Sequence, residues 1–177
     1  IIDEHLSISE RNKNQILIYY PYIDAKKIIH WLRPFSDYQF HIFHGCDEST
    51  DYPHIHLYYF SKTEFNQKQH QCAGIITAAG FELASEAIHM GHKLLIYPLE
   101  GQMEQQFNAK LLEQLGHAKL IHTFSHEALE LWLKTPLKPA SPYPKTAYEL
   151  AKWLVKSERG SIKELSEKLW IRDAEVI

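Results

Sequence analysis

Polar groups that could bind a small ligand gather at the beginning of a predicted helix in the middle of the chain. The apolar run Ala73–Ala78 predicts a strand, and Gly80 then opens a helix that Gly91 closes. Glu82 and Glu86 share one side of this helix, away from its apolar residues. Because the first N–H groups of a helix have no intrahelical partner, its start predicts a phosphate-binding position.

A second group of polar residues follows the next strand. Residues Lys93–Tyr97 predict this strand, which Pro98 ends, and a helix begins near Gln102 with Glu104 and Gln105 in its first turn. Apolar residues recur on another side of that helix at steps of four: Met103, Phe107, Leu111 and Leu115. Both helix starts are expected at the carboxyl edge of a parallel sheet, where α/β folds bind ligands.

The remaining pattern supplies the rest of such a sheet. Continuous apolar runs rather than alternating ones indicate strands buried on both faces. Asp24 and Ser125 are predicted N-caps of helices, and residues 61–71 are either a short helix or an irregular loop. We therefore expect an α/β, doubly wound, mostly parallel Rossmann-like sheet with right-handed crossovers. Its six strands are predicted at residues 15–20, 38–43, 54–60, 73–78, 93–97 and 119–122.

The chain divides into four segments by composition. Residues 1–14 are predicted to be a linker or cap, 15–135 the sheet domain, 136–145 a proline-rich connector and 146–177 a helical appendage. Two capping boxes, Thr146 with Glu149 and Ser161 with Glu164, predict the helices of the appendage. Because the chain begins without methionine, it reads as part of a longer protein.

Composition limits the classes of function. The 177 residues are 45% hydrophobic and carry a formal charge of -3, with the basic residues dispersed. Nucleic acid is therefore not an expected partner. No apolar run approaches the ~20 residues of a membrane span, and association with a membrane surface stays open. Cys46 and Cys72 are expected to be reduced, buried thiols of a cytoplasmic protein.

Several common catalytic motifs are absent from the sequence. It contains no Gly-x-Gly-x-x-Gly after a strand, no phosphate-binding Gly-x-x-x-x-Gly-Lys and no Gly-x-Ser-x-Gly. Among the 12 histidines, none has a zinc-type helical spacing with a carboxylate partner. His54 and His56 could share a strand face and chelate an ion, but satisfied structural histidines are the favoured interpretation. We predict no metal and no cofactor.

Residues 80–86 (GFELASE), the strand ending at Pro98 and residues 104–109 (EQQFNA) together resemble the nucleotide-sugar-binding, C-terminal domain of GT-B glycosyltransferases. The similar families are family 28, with the peptidoglycan lipid N-acetylglucosaminyltransferase, and family 1, with plant and animal enzymes that use UDP-sugars. A weaker likeness extends over residues 16–132. The run ILIYYP followed by YQFHIFHG is also close to an uncharacterised microbial, glycosyltransferase-like subgroup.

The resemblance implies a role for particular positions. Glu86 would accept hydrogen bonds from the two ribose hydroxyls, a role that suits a carboxylate because it has only acceptors. Gly80 and Phe81 would face the diphosphate, and Glu104 and Gln105 the sugar. The implied donor-binding residues are Ala79, Gly80, Phe81, Glu86, Glu104 and Gln105. A second set comprises Phe60, Ser61, Phe65, Thr77, Glu82 and Asn108, with the base near residues 60–65 and Asn108 holding the helix or loop in place.

Three positions depart from the plant enzymes of the family. Ala78 stands where those enzymes have a histidine that contacts the diphosphate, and Phe81 replaces their tryptophan. Glu82 replaces a polar, uncharged residue and adds a negative charge beside an anionic ligand. The sugar preference of the plant enzymes is therefore not expected to transfer to this chain.

The resemblance implies a donor-binding domain of a nucleotide-sugar-dependent glycosyltransferase. Its partners would be the nucleotide-sugar donor and an N-terminal acceptor domain of the same protein, which would also carry the general base. No catalytic residue is thus assigned within this chain, and alone it is expected to be inactive. Two alternatives stay open: a GT-B-like nucleotide-sugar 2-epimerase, and a non-catalytic interaction module that retains the fold.

Overall fold

The computed structural model describes residues 11–45, 49–137, 139–140, 143–156 and 160–171. For Ile171 it describes the backbone only. The chain forms two compact units, one within residues 1–141 and the other within residues 142–177. The boundary between the units falls in the proline-rich stretch. Of the predicted linker or cap at residues 1–14, positions 1–10 lie outside the described residues, as does Cys46.

The first unit contains a six-stranded parallel sheet of order β3-β2-β1-β4-β5-β6. This confirms the predicted Rossmann-like architecture. The order reverses between β1 and β4, so the carboxyl ends of these two strands flank the switch point where doubly wound folds bind ligands. The strands are β1 Asn12–Tyr19, β2 Gln39–Phe43, β3 Ile55–Tyr58, β4 Cys72–Thr77, β5 Lys93–Ile96 and β6 Ala118–Leu120.

Five helices accompany the sheet in the described residues of this unit. The segment at 61–71, left open between helix and loop, is a helix capped by Ser61. Asp24 and Ser125 are N-caps as predicted, and Gly91 ends its helix in the left-handed conformation at φ 78°. The helices are α1 Ala25–Leu32, α2 Lys62–Gln71, α3 Phe81–Met90, α4 Met103–Gln114 and α5 His126–Leu133.

Strand β1 begins three residues earlier than its apolar run predicts. Asn12 already pairs with Cys72, followed by a register shift before Ile16 meets Gly74. Residues 12–14 are exposed, so their polar side chains carry no strand signal. The apolar pattern therefore marked only the buried part of the strand.

Alternate residues of the strands supply two separate cores. Ile16 and Ile18 pack with α1 and α5 on one face, where the core contains Trp31, Trp132 and other large side chains. Leu17 packs on the opposite face, against α3 and α4. We call these the α1/α5 face and the α2–α4 face. The alternation follows from the two-residue period of a strand.

Helix α4 packs on its face through small and medium side chains. Ala109 is fully buried and Leu112 packs against the same core. The four apolar residues that recur at steps of four are instead exposed: Met103, Phe107, Leu111 and Leu115. Their spacing correctly indicated a helix, but it did not mark the face that packs.

The second unit consists of helices α6 Thr146–Leu154 and α7 Ile162–Ile171 in its described part. Ser161 and Glu164 form the predicted capping box, with backbone-to-side-chain bonds of 3.1 Å in both directions. The box predicted at Thr146 is wrong: Lys145 is the N-cap, and the Thr146 hydroxyl donates to the Pro144 carbonyl. None of the helices that the structure describes is long and apolar enough to cross a membrane.

Candidate nucleotide-binding site

A cleft of about 850 Å³ lies between α2 and α3 on the α2–α4 face. Tyr19 and Phe43, at the carboxyl ends of β1 and β2, line one side of it. Polar residues of α2 and carboxylates of α3 line its walls. One end of the cleft thus lies at the carboxyl edge of the sheet beside the switch point, which is the expected position for a ligand in this topology.

Aromatic rings make up one wall of the cleft. The Tyr19 ring lies edge-on to Phe60 and to Phe65, with centroids 5.9 Å and 5.5 Å apart. Phe43 meets Phe65 in the same way at 5.1 Å. These contacts fix the rings, yet Phe60 is still 55% exposed. An exposed ring held in place in a cleft can accept a planar base on its face.

Two carboxylates of α3 line the opposite wall. Glu82 is exposed in the first turn, and Glu86 lies one turn further along and is half-buried. One oxygen of Glu86, Oε2, accepts a hydrogen bond of 3.1 Å from Nε2 of Gln69 on α2. The carboxylate therefore has acceptor capacity left for hydroxyl groups of a ligand.

The turn into α3 is open to solvent. Gly80 is the N-cap, has an ordinary φ of -65°, and an added Cβ there would meet nothing within 4 Å. Neither backbone strain nor packing in the described protein requires glycine here. Ala79 is fully buried, and its carbonyl accepts a hydrogen bond of 3.2 Å from Asn108. Asn108 therefore anchors this turn to α4.

The residues predicted for the sugar lie in the first turn of α4. Glu104 is exposed there. The Oε1 atom of Gln105 accepts a hydrogen bond of 3.0 Å from the Leu99 N–H, which fixes the amide. Its Nε2 group is the part left to donate to a ligand.

The structure brings together only part of the predicted site. Five of the predicted residues line the cleft: Phe60, Ser61, Phe65, Glu82 and Glu86. The others lie outside its lining: Thr77, Ala79, Gly80, Phe81, Glu104, Gln105 and Asn108. Thr77 is buried, and its hydroxyl donates to the Tyr19 carbonyl at 3.2 Å rather than facing the cleft.

The cleft also contains residues that sequence reasoning missed. Tyr19 ends β1 beside the switch point, so the strand-end rule could have found it. The missed residues of α2 stand in a polar helix without an apolar face, where no sequence signal separates them from solvated neighbours. They are Lys62, Asn66, Gln69 and His70.

A histidine pair occupies the same sheet face near its β3 edge. The His41 and His56 rings stack with centroids 5.2 Å apart, and Nδ1 of His41 lies 3.0 Å from the Tyr58 hydroxyl. Burial, aided by the positive charge of Lys68, lowers the pKa of His41 to about 4. His41 is therefore neutral at pH 7.

His54 and His56, which could in principle have shared a strand face, have different surroundings. His54 precedes β3 and contacts Phe40, whereas Nε2 of His56 lies 2.8 Å from Gln39 Oε1. Within the described ranges, no three His, Cys, Asp or Glu side chains are grouped so as to hold a metal ion.

Two further buried groups support the sheet. Cys72 is a free, buried thiol whose pKa burial raises to about 12. On the other face, the Lys93 amine donates to the Leu133 carbonyl at 2.6 Å, at the end of α5, and lies 5.0 Å from the Trp132 ring centroid. Burial lowers the pKa of Lys93 to about 8. Gly74 makes room for this arrangement, since an added Cβ would lie 2.8 Å from both side chains.

Solved structures similar to this chain show its fold. SnogD from Streptomyces nogalater matches with a TM-score of 0.54 and 13% identity over 75% of this chain and 37% of its own. MurG from Acinetobacter baumannii matches with a TM-score of 0.50 and 23% identity over 67% of this chain and 39% of its own. Arabidopsis thaliana UGT89C1, complexed with quercetin, matches with a TM-score of 0.53 and 17% identity over 91% of this chain and 44% of its own. The fold is that of GT-B glycosyltransferases.

The family follows from the sequence itself. The model for glycosyl transferase family 1 matches residues 1–135, and the chain belongs to this family. No curated protein matches it significantly. The chain spans less than half the length of the three solved structures. It is a glycosyltransferase domain, and the residues that match carry the sheet and the cleft.

Proposed function

We propose that the chain is the C-terminal, donor-binding domain of a glycosyltransferase that uses a nucleotide-sugar, with a UDP-sugar as the donor. The observation that carries the proposal is the position of Glu86. Its half-buried carboxylate lines the cleft at the sheet's carboxyl edge, in the domain that matches the family. A vicinal diol offers two donors to such an acceptor, so the ribose of the nucleotide is the matching group.

The base of the nucleotide would occupy the aromatic side of the cleft. Phe60 is exposed and contacts Tyr19 edge-on, so one ring face can stack on a base. Ser61 and Asn66, on the neighbouring turns of α2, offer hydrogen-bonding groups for the base edge. The cleft of about 850 Å³ is of the size expected for a small-molecule site.

The diphosphate would lie at the start of α3. The open space at Gly80 and the free N–H groups of this helix suit an anion. Lys62, which lines the cleft from α2, adds a positive charge. Glu82 opposes binding because its carboxylate stands on the same wall. Gln105 and Glu104 would contact the sugar, with the Nε2 group of Gln105 donating to a hydroxyl.

The reaction would be a metal-independent transfer to an acceptor hydroxyl. The acceptor oxygen attacks the anomeric carbon, the bond from that carbon to the phosphate oxygen breaks, and the nucleotide diphosphate leaves with the bonding electrons. The start of α3 stabilises the charge that develops on it. A base in an N-terminal domain of the same protein takes the acceptor's proton. This chain alone is therefore expected to bind donor without turning it over.

Calorimetric titration of UDP tests the proposal. Wild-type chain is expected to bind UDP, and Glu86→Ala to weaken binding ~10- to 100-fold, since hydrogen bonds to charged groups contribute about 1.5–3 kcal/mol. Glu127→Ala is the matched control, because Glu127 is an exposed glutamate in the first turn of α5, on the other sheet face. Absence of binding at millimolar UDP, or equal affinity in wild type and Glu86→Ala, would refute the donor site.

A further inference from the structure

Helix α2 is polar, and the structure describes all ten of its residues. Gln69 is the one among them that is buried, with 4% of its surface exposed. The helix therefore places an amide, not an apolar side chain, at its most enclosed position. Burying an amide is costly unless it forms hydrogen bonds, so its partners indicate what the position is for.

Gln69 is held from one side and holds Glu86 on the other. The Cys72 thiol donates to the Gln69 carbonyl at 3.3 Å, and because burial raises the pKa of Cys72 to about 12 this thiol keeps its proton. The side-chain Nε2 of Gln69 donates to Oε2 of Glu86 at 3.1 Å. An ionised carboxylate can only accept, so the amide must present its N–H groups to it.

The bond has a directional consequence for Glu86. A glutamate on a helix surface normally samples several rotamers, and fixing such a side chain on binding costs conformational entropy. Here one carboxylate oxygen accepts a hydrogen bond from a buried donor. The second oxygen keeps its full acceptor capacity on the wall of the cleft.

We propose that Gln69 is the positioning residue of the donor site, which orients the Glu86 carboxylate so that its second oxygen meets the ribose diol. This inference rests on the proposed nucleotide-sugar function. Gln69 acts through Glu86, and its contribution to affinity is confined to ligands that carry both ribose hydroxyls. A mere tie between α2 and α3 would instead affect every ligand of the cleft equally.

The test compares two nucleotides, UDP and 2′,3′-dideoxy-UDP, by calorimetry on the 177-residue chain. The variant is Gln69→Met, which keeps the length and bulk of the side chain and removes the donor. Gln67→Met is the matched control, because Gln67 is an exposed glutamine of the same helix outside the cleft lining. Thermal unfolding of each variant reports whether the fold is retained.

Gln69→Met is expected to weaken UDP binding ~10-fold, because a misoriented Glu86 carboxylate loses about one hydrogen bond to the ribose diol. Binding of dideoxy-UDP, which lacks the diol, should weaken less than ~2-fold. Gln67→Met should change neither. Gln69→Glu is a second variant that faces Glu86 with a like charge, and it should show the same selective loss. If either Gln69 variant is unstable, the other is measured.

Two results would overturn the positioning role. Equal losses for both nucleotides would make Gln69 a structural tie only, and unchanged affinities would leave it without a role in binding. Failure of the underlying function looks different: the wild-type chain itself would bind UDP no better than dideoxy-UDP, or not at all. That outcome would refute the ribose contact and the positioning role together.

Discussion

The two faces of the sheet are built from different materials. The α1/α5 face is filled by large side chains, including Trp31, Phe40 and Trp132, all nearly or fully buried. The α2–α4 face is covered by small residues such as Ala84 and Ala87, and it also buries polar groups. The first face can therefore supply stability, while the second leaves the room and polarity that a ligand needs.

The buried polar groups show the same division. Lys93 is enclosed under α5, where backbone carbonyls at the end of the helix compensate its charge. On the α2–α4 face, His41, Gln69 and His92 are buried close to the elements that form the cleft. A face that must bind polar ligands loses part of its apolar packing, so we expect substitutions on the two faces to have separable effects.

The largest expected effect concerns the α1/α5 face. Trp132→Ala should lower the free energy of unfolding by ~3–5 kcal/mol, because it empties a buried indole site and removes the ring beside Lys93. Urea denaturation measures the loss. UDP affinity of the folded fraction should stay unchanged. A cost below ~1 kcal/mol would contradict the assignment of stability to this face.

The next effect is a pH dependence on the α2–α4 face. Burial and the nearby Lys68 and His56 disfavour the charged form of His41 and lower its pKa from the ordinary value of 6.5 to about 4 in the folded state. The unfolded chain therefore binds a proton that the folded chain does not. The contribution of neutral His41 to the free energy of unfolding is fully present above pH 6.5. It is lost as the pH falls from 6.5 towards 4, by up to ~1.4 kcal/mol per pH unit.

His41→Gln should flatten this profile while leaving a polar partner for Tyr58. Its stability is measured by urea denaturation between pH 7.5 and 4.5, with exposed His126→Gln as the control. His92, whose pKa burial lowers to about 3, is present in both proteins and contributes equally to their pH dependence. Parallel profiles for wild type and His41→Gln would show that the proton is taken up elsewhere.

The smallest expected effects are those of one substitution on α3, which should change ligand binding and stability in opposite directions. Glu82→Gln removes a negative charge from the cleft wall and should tighten UDP binding ~2- to 5-fold. It should also lower the free energy of unfolding by ~0.3–1 kcal/mol, because Glu82 lies in the first turn of α3 and favours the helix dipole. Calorimetry and urea denaturation measure the two. Weaker binding would mean that Glu82 contacts the ligand favourably.

The fold was largely predictable because its strands are continuous apolar runs and its helices have strong boundary residues. Asp24, Ser125 and Gly91 mark helix ends through local chemistry, which the sequence displays directly. Thr146 failed as a cap because a neighbouring carbonyl, that of Pro144, takes its hydroxyl. The start of β1 was predicted too late because the pairing of Asn12 with Cys72 needs no apolar side chain.

The site was only partly predictable because it depends on contacts between distant elements. Glu86 was found through the motif that contains it, and Phe60 through the segment expected to hold the base. Gln69 was not, since its bond to Glu86 joins residues 17 positions apart on different helices. The role predicted for Thr77 stays a prediction, and the sequence does not show that its hydroxyl donates to the Tyr19 carbonyl.

The strand order also sets a sequence of events in folding. Of the six strands in this sheet, β1 is synthesised before the others, yet it lies in the centre, between β2 and β4. Ile16 pairs with Gly74, so one edge of β1 stays open until 58 further residues have left the ribosome. An open apolar edge invites wrong pairing, and distant pairings form slowly. The cleft lies beside the pairing of β1 with β4. A chain stopped before β4 therefore lacks both this central pairing and the ligand site.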